Sequence, residues 1–116
     1  MTPPAELLAA ARDLLKRADP QTAGLWPRAA ALLARQALEA GLDEFWRGKG
    51  VALDGCSMRT QLICLRGYLD HDAAGRIDHA WAALSQACHH HAYDLAPAAG
   101  ELEGWMEVAA ALGTQG

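Results

Sequence analysis

At 116 residues and 12.4 kDa the chain has the size of one ordinary domain, read here as a single unit over residues 1–116. Folding at that length removes roughly two-thirds of the unfolded surface from water without disulfides, and apolar residues at 52% with charged residues at 21% exclude a disordered chain. A net charge of −4 supplies no global field for phosphate backbones, so nucleic acid needs a local basic patch.

Alanine fills 26 positions and leucine 17, while β-branched residues are scarce, a composition that favours helix almost everywhere. The predicted fold class is all-α, an up-and-down bundle of four to five helices. The first helix is predicted from Pro4 to Ala18, with proline tolerated in its opening turn and Asp19-Pro20 ending it. Leu7, Leu8, Ala11, Leu14, Leu15 and Ala18 make its apolar face and leave Arg12 for solvent.

The second and longest helix is predicted from Trp26 to Arg47, with Pro27 at its first position and Gly48 as its C-terminal cap. Arg28, Arg35, Glu39, Asp43 and Arg47 form a polar stripe in which Arg35 pairs with Glu39 and Asp43 with Arg47. Opposite lie Trp26, Ala30, Leu33, Ala37, Leu38, Leu42, Phe45 and Trp46, a face wider than one neighbour needs. That width fits either a central helix or a dimer seam. Trp46, beside Phe45 and a glycine-rich loop, reads as a dimer or partner anchor or as a cap on the bundle's end.

Residues 48–56 hold three glycines and form the clearest loop. A third helix then opens near Ser57, carries Met58, Leu62, Leu65 and Leu69 inward with Arg59 and Arg66 outward, and closes near Asp70. Residues 70–75 read as a break with Asp72 as the next N-cap. The fourth helix carries Ile77, Trp81, Leu84, Cys88 and His91 on one face and Arg76, His79, Ala83, Gln86, His90 and Asp94 on a more exposed side. A fifth starts at Pro97, packs Leu102, Trp105, Met106, Ala109 and Leu112, and turns Glu101, Glu103 and Glu107 to water.

No stretch of about 18 apolar residues offers a membrane span. The N-terminus, Met1-Thr2-Pro3-Pro4-Ala5-Glu6, lacks a basic segment followed by an apolar core, so the expected location is cytoplasmic. Cys56, Cys64 and Cys88 are odd in number and widely spaced, which fits neither a disulfide framework nor a C-x-x-C motif. They read as reduced thiols, with Cys64 and Cys88 in the core.

The densest chemical cluster is Cys88-His89-His90-His91-Ala92-Tyr93-Asp94. Three adjacent imidazoles reach all sides of a helix but diverge by about 100° per residue, so they do not readily share one metal ion. No metal and no cofactor is expected, and His89, His90 and Tyr93 are candidate binding residues together with Arg59. A second feature is Arg66-Gly67-Tyr68-Leu69-Asp70-His71, an arginine and a histidine separated by four residues.

These residues, together with the helical stretch from Arg28 to Glu39, give the chain a resemblance to the HEPN superfamily of small α-helical bundles. That superfamily includes ribonucleases marked by an Arg-x4-6-His motif, and its members commonly act as homodimers. The stretch Leu84–Tyr93 is also similar to a run in uncharacterised actinobacterial proteins, which implies no activity. Gly67 follows Arg66 where the family's nucleases carry a polar residue. His91-Ala92-Tyr93 matches the motif's His-x-Tyr ending, but Gln86 stands five residues before it where arginine is expected. The resemblance thus implies a homodimeric, catalytically degenerate interaction or nucleotide-binding module with RNA, nucleotide or protein partners. The alternative is a metal-independent ribonuclease of toxin or defence type with Arg66, His71 and His91 as catalytic candidates. In that chemistry histidine deprotonates a 2′-hydroxyl and arginine stabilises the charged phosphate.

Overall fold

A computed structural model describes residues 3–16, 26–53, 55–88 and 99–112. Among them are five helices and no strand: α1 (Pro4–Lys16), α2 (Trp26–Lys49), α3 (Met58–Leu65), α4 (His71–Cys88) and α5 (Ala99–Leu112). The all-α expectation holds, with boundaries shifted where capping chemistry decides them.

The Pro3 carbonyl accepts from the Glu6 and Leu7 amides at 3.1 and 3.2 Å, which satisfies two donors of the opening turn of α1. Helix α2 ends at Lys49 and is capped by Gly50, not Gly48. Gly50 adopts φ 70°, its amide donates to Arg47 O at 3.2 Å, and the Val51 amide donates to Trp46 O at 3.0 Å. These are the two bonds of a Schellman cap, whose left-handed residue needs glycine. Gly48 has an ordinary helical place two residues too early for that role.

Helix α3 opens where expected, with the Ser57 side chain accepting from the Thr60 amide at 3.2 Å, but it stops at Leu65 rather than near Asp70. Arg66 is its C-cap, and the chain turns through Gly67 and Tyr68. The expected break at 70–75 is instead the start of α4. Asp70 Oδ1 accepts from the Ala73 amide at 2.7 Å, so Asp70 is the N-cap and Asp72 stands in the first turn. Ala73 and Ala74, read as loop, are buried helical residues.

Helix α2 lies centrally, packed on α1, α4 and α5, while α5 also touches α1 and α4. Directions follow from which ends meet. The start of α1 shares a groove with Gly41, Glu44, Ala109 and Ala110, and Arg12 near its end pairs with Glu103 near the start of α5. The start of α4 lies beside Trp105 and Val108, and its last residue, Cys88, feels the charges of Arg35 and Arg28 in the first half of α2. Helices α1, α2, α4 and α5 therefore alternate in direction, and the short α3 packs on α4.

The diagonal pair, α2 and α5, runs parallel and in contact. At Gly41 an added Cβ would lie 3.2 Å from Leu112 Cδ2, so the two helices approach closely there. Ala30, Ala31, Ala34, Ala37, Leu38, Leu42, Phe45 and Trp46 of α2 are all buried. Three neighbours account for that wide face, so it is the seam of a central helix.

Trp46 closes the bundle's end instead of presenting a partner anchor. It is 3% exposed and its indole N–H donates to Gln61 Oε1 at 3.2 Å, while Gln61 Nε2 donates to Cys56 O at 3.1 Å. Phe45 and Tyr68 meet its ring edge to face, with centroids 5.1 and 5.2 Å away. Cys64 and Cys88 are half-buried beside the core rather than within it, and Cys56 is exposed; all three are free thiols. No described helix is long and apolar enough to cross a membrane.

Candidate functional site

Three of the sequence-derived candidates, Arg59, Arg66 and His71, fall on described residues. His89, His90, His91 and Tyr93 lie outside them. Arg59 is exposed on α3, about two turns before the C-terminal end that carries Arg66.

Arg66 does not pair with Asp70, which is occupied as the cap of α4. Its Nη2 stands 3.7 Å from Asp78 Oδ2, across the contact between α3 and α4. Asp78 is seven residues beyond His71 on the same helix, about 10 Å along its axis. Arg66 and His71 are thus neighbours in sequence whose functional ends sit at different levels of α4.

His71 turns to the other neighbour of α4. It lines a groove of about 370 Å³ with Asp72, Gly75, Arg76 and His79 of α4 and Trp105 and Val108 of α5. The 3.6-residue period explains the grouping, because positions 72, 75, 76 and 79 recur at three and four. Asp70 caps this helix and so fixes where His71 begins it. The sequence placed Arg76 and His79 on the exposed side, where they are found, but nothing in it brought Trp105 beside them.

Among the described residues, Arg76, His71, His79 and Asp72 make no hydrogen bond or ion pair with one another or with other side chains. Arg76 differs in this from Arg12, Arg35 and Arg66, each held by a carboxylate. His71 likewise has no partner to fix its tautomer, as a positioned catalytic base would. His71 and His79 are eight residues apart, about 12 Å along the axis, which is too far to share one metal ion.

A second polar locus lies in the seam between α2 and α4. Arg35 Nε is 3.9 Å from Glu39 Oε1, an ion pair too long for a hydrogen bond, and Trp81 Nε1–H reaches Glu39 Oε2 at 3.5 Å. Arg35 Nε and Ser85 Oγ are buried without a hydrogen-bond partner among the described residues. Burial pushes the Cys88 thiol above its ordinary pKa; Arg35 draws it back, Glu39 raises it further and Arg28 lowers it. The thiol is accordingly the neutral, less nucleophilic form at neutral pH.

A third hollow, about 270 Å³, lies under the cap of α2 and holds Asp43, Arg47 and the backbone from Gly50 to Leu53. Its single carboxylate and single guanidinium match those of the α4–α5 groove, but it has no imidazole. Compared with protein-family models, curated proteins and solved structures, the chain matches none.

Proposed function

We propose that the chain is a catalytically degenerate, HEPN-like helical module that binds a nucleotide or nucleic-acid ligand without cleaving it. The observation that carries this reading is the separation of the Arg/His pair: Arg66 rests on Asp78 at 3.7 Å while His71 opens onto the groove beside α5. A general base and a cation that stabilise one transition state must converge on one phosphate, within hydrogen-bond reach of its oxygens and of the attacking hydroxyl. A homodimeric assembly and a cytoplasmic location belong to the same proposal, and the first is checked by the mass in solution.

The test is RNA cleavage in EDTA by the purified chain beside Arg66→Ala, His71→Ala and His91→Ala, each checked for native helicity. Several RNAs left intact by the wild type is the expected result. Cleavage that disappears in a folded variant would replace the module with a metal-independent ribonuclease and identify its histidine.

A further inference from the structure

We infer that the groove between α4 and α5 is an oxyanion site in which Arg76 is the permanent cation and His71 and His79 are donors that acidification recruits. The inference rests on the reading of the chain as a binding module and names the ligand chemistry of one surface. Arg76 is the only arginine among the described residues that both lacks a hydrogen-bond or ion-pair partner and shares its groove with imidazoles. Guanidinium presents a planar fork of donors suited to phosphate-class oxygens, and left unpaired it has no internal carboxylate to give up on binding.

The charge of the groove depends on proton uptake. Asp72 and Arg76 cancel, so the site is neutral while both histidines are neutral. Each imidazole that takes up a proton adds one positive charge, and protonation of both takes the groove to a charge of +2. From α5 the lining residues are Trp105 and Val108, which do not titrate. Neither α2 nor α3 contributes to the lining: Arg66 of α3 is set against Asp78, and Arg35 and Glu39 of α2 are set against each other in the α2–α4 seam. Glu101 and Glu107 of α5 are exposed and are not part of the lining. The half-buried indole of Trp105 adds an apolar wall, which suits an oxyanion carried on an aromatic or otherwise flat group.

Sulfate is the probe, because its own charge is constant across the range. The intact chain is titrated with sulfate at about pH 8 and about pH 5.5, following backbone amides of residues 71–79, the imidazoles and the Trp105 indole N–H by NMR. Affinity should rise about tenfold or more at the lower pH, with shifts confined to this groove. Arg76→Gln should abolish binding at both pH values, whereas His71→Gln with His79→Gln should leave weak binding that no longer responds to pH. All three substitutions are at exposed positions and should keep native helicity. A parallel titration with phenyl phosphate at one pH separates the sources: tighter binding that moves the Trp105 indole assigns a phosphate ester, and equal binding assigns the free anion. Sulfate binding that is absent, insensitive to pH, unchanged in Arg76→Gln, or mapped to the Arg47 hollow would overturn the assignment. RNA cleavage would overturn the module reading alone, leaving the groove to be judged by its own titration.

Discussion

Gln61 is the one polar residue buried as a whole among the described residues, at 8% exposure, and replacing it with leucine isolates what it does for the bundle's end. The Gln61→Leu change removes the acceptor for the Trp46 indole N–H and the donor to Cys56 O. The part-exposed bond to Cys56 O contributes about 1 kcal/mol, and a buried indole N–H left without an acceptor costs about 1–3 kcal/mol. Leucine's own burial returns about 1 kcal/mol, since Gln61 is already out of water. The net loss is about 2 kcal/mol, which for a domain of this size lowers Tm by about 8 °C. Urea unfolding followed by circular dichroism measures it at constant slope. The mechanism is read from the same change in a Trp46→Phe background, which has no N–H to orphan, where the loss should shrink to below about 1 kcal/mol. An equal loss in both backgrounds would refute the hydrogen-bond account.

Other outcomes follow from features already described. Asp70→Ala removes the N-cap of α4 and should cost about 1 kcal/mol, whereas Asp72→Ala should cost much less, as comparison of their urea midpoints checks. Gly104→Ala in α5 meets open space and should stabilise by up to about 1 kcal/mol, while Gly41→Ala meets Leu112 Cδ2 at 3.2 Å and should gain less or lose; equal gains would contradict the close α2–α5 approach. Cys88 should react with iodoacetamide more slowly than the exposed Cys56 at neutral pH, with mass mapping of labelled peptides as the readout and faster labelling of Cys88 as the contrary result. Because its thiol pKa is raised on folding, Cys88 gives full stability below about pH 9 and loses it above, where the unfolded chain releases the proton first. A Cys88→Ala variant should show a smaller fall in stability over that range.

Helix existence and facing were legible because leucine at three-to-four spacing marks one side of a helix unambiguously. Leu38, Leu42, Leu84, Leu102 and Met106 are buried as their spacing requires. Alanine is silent in that pattern, since it suits both a solvent face and a tight interface, so Ala31, Ala34, Ala73, Ala80 and Ala87 gave no sign of their burial. Two caps were misplaced for one reason. Gly48 and Gly50 both offer a left-handed residue, and Asp70 and Asp72 both offer a capping oxygen, and only the packing of neighbouring helices decides between positions two apart. Arg66 and Asp70 also stand at i,i+4, but that rule assumes a continuous helix, and α3 ends before Asp70 is reached, so Arg66 meets Asp78 instead. The α4–α5 groove could be half seen, since the period gives the α4 residues while Trp105 enters only through tertiary contact.

The contact between the diagonal helices α2 and α5 has a bearing on where evolution can act. A four-helix ring whose opposite members stay apart keeps a lumen, and residues lining it serve ligand and fold at once. Where Gly41 lets α5 lie against α2, that lumen is closed, and chemistry is pushed to the outer furrows between adjacent helices. Side chains there, such as Arg76 and His79, carry little of the packing energy and can be exchanged without repacking the interior. The scaffold is thereby uncoupled from its surface specificity, so related chains could share this arrangement of helices while recognising chemically unrelated ligands.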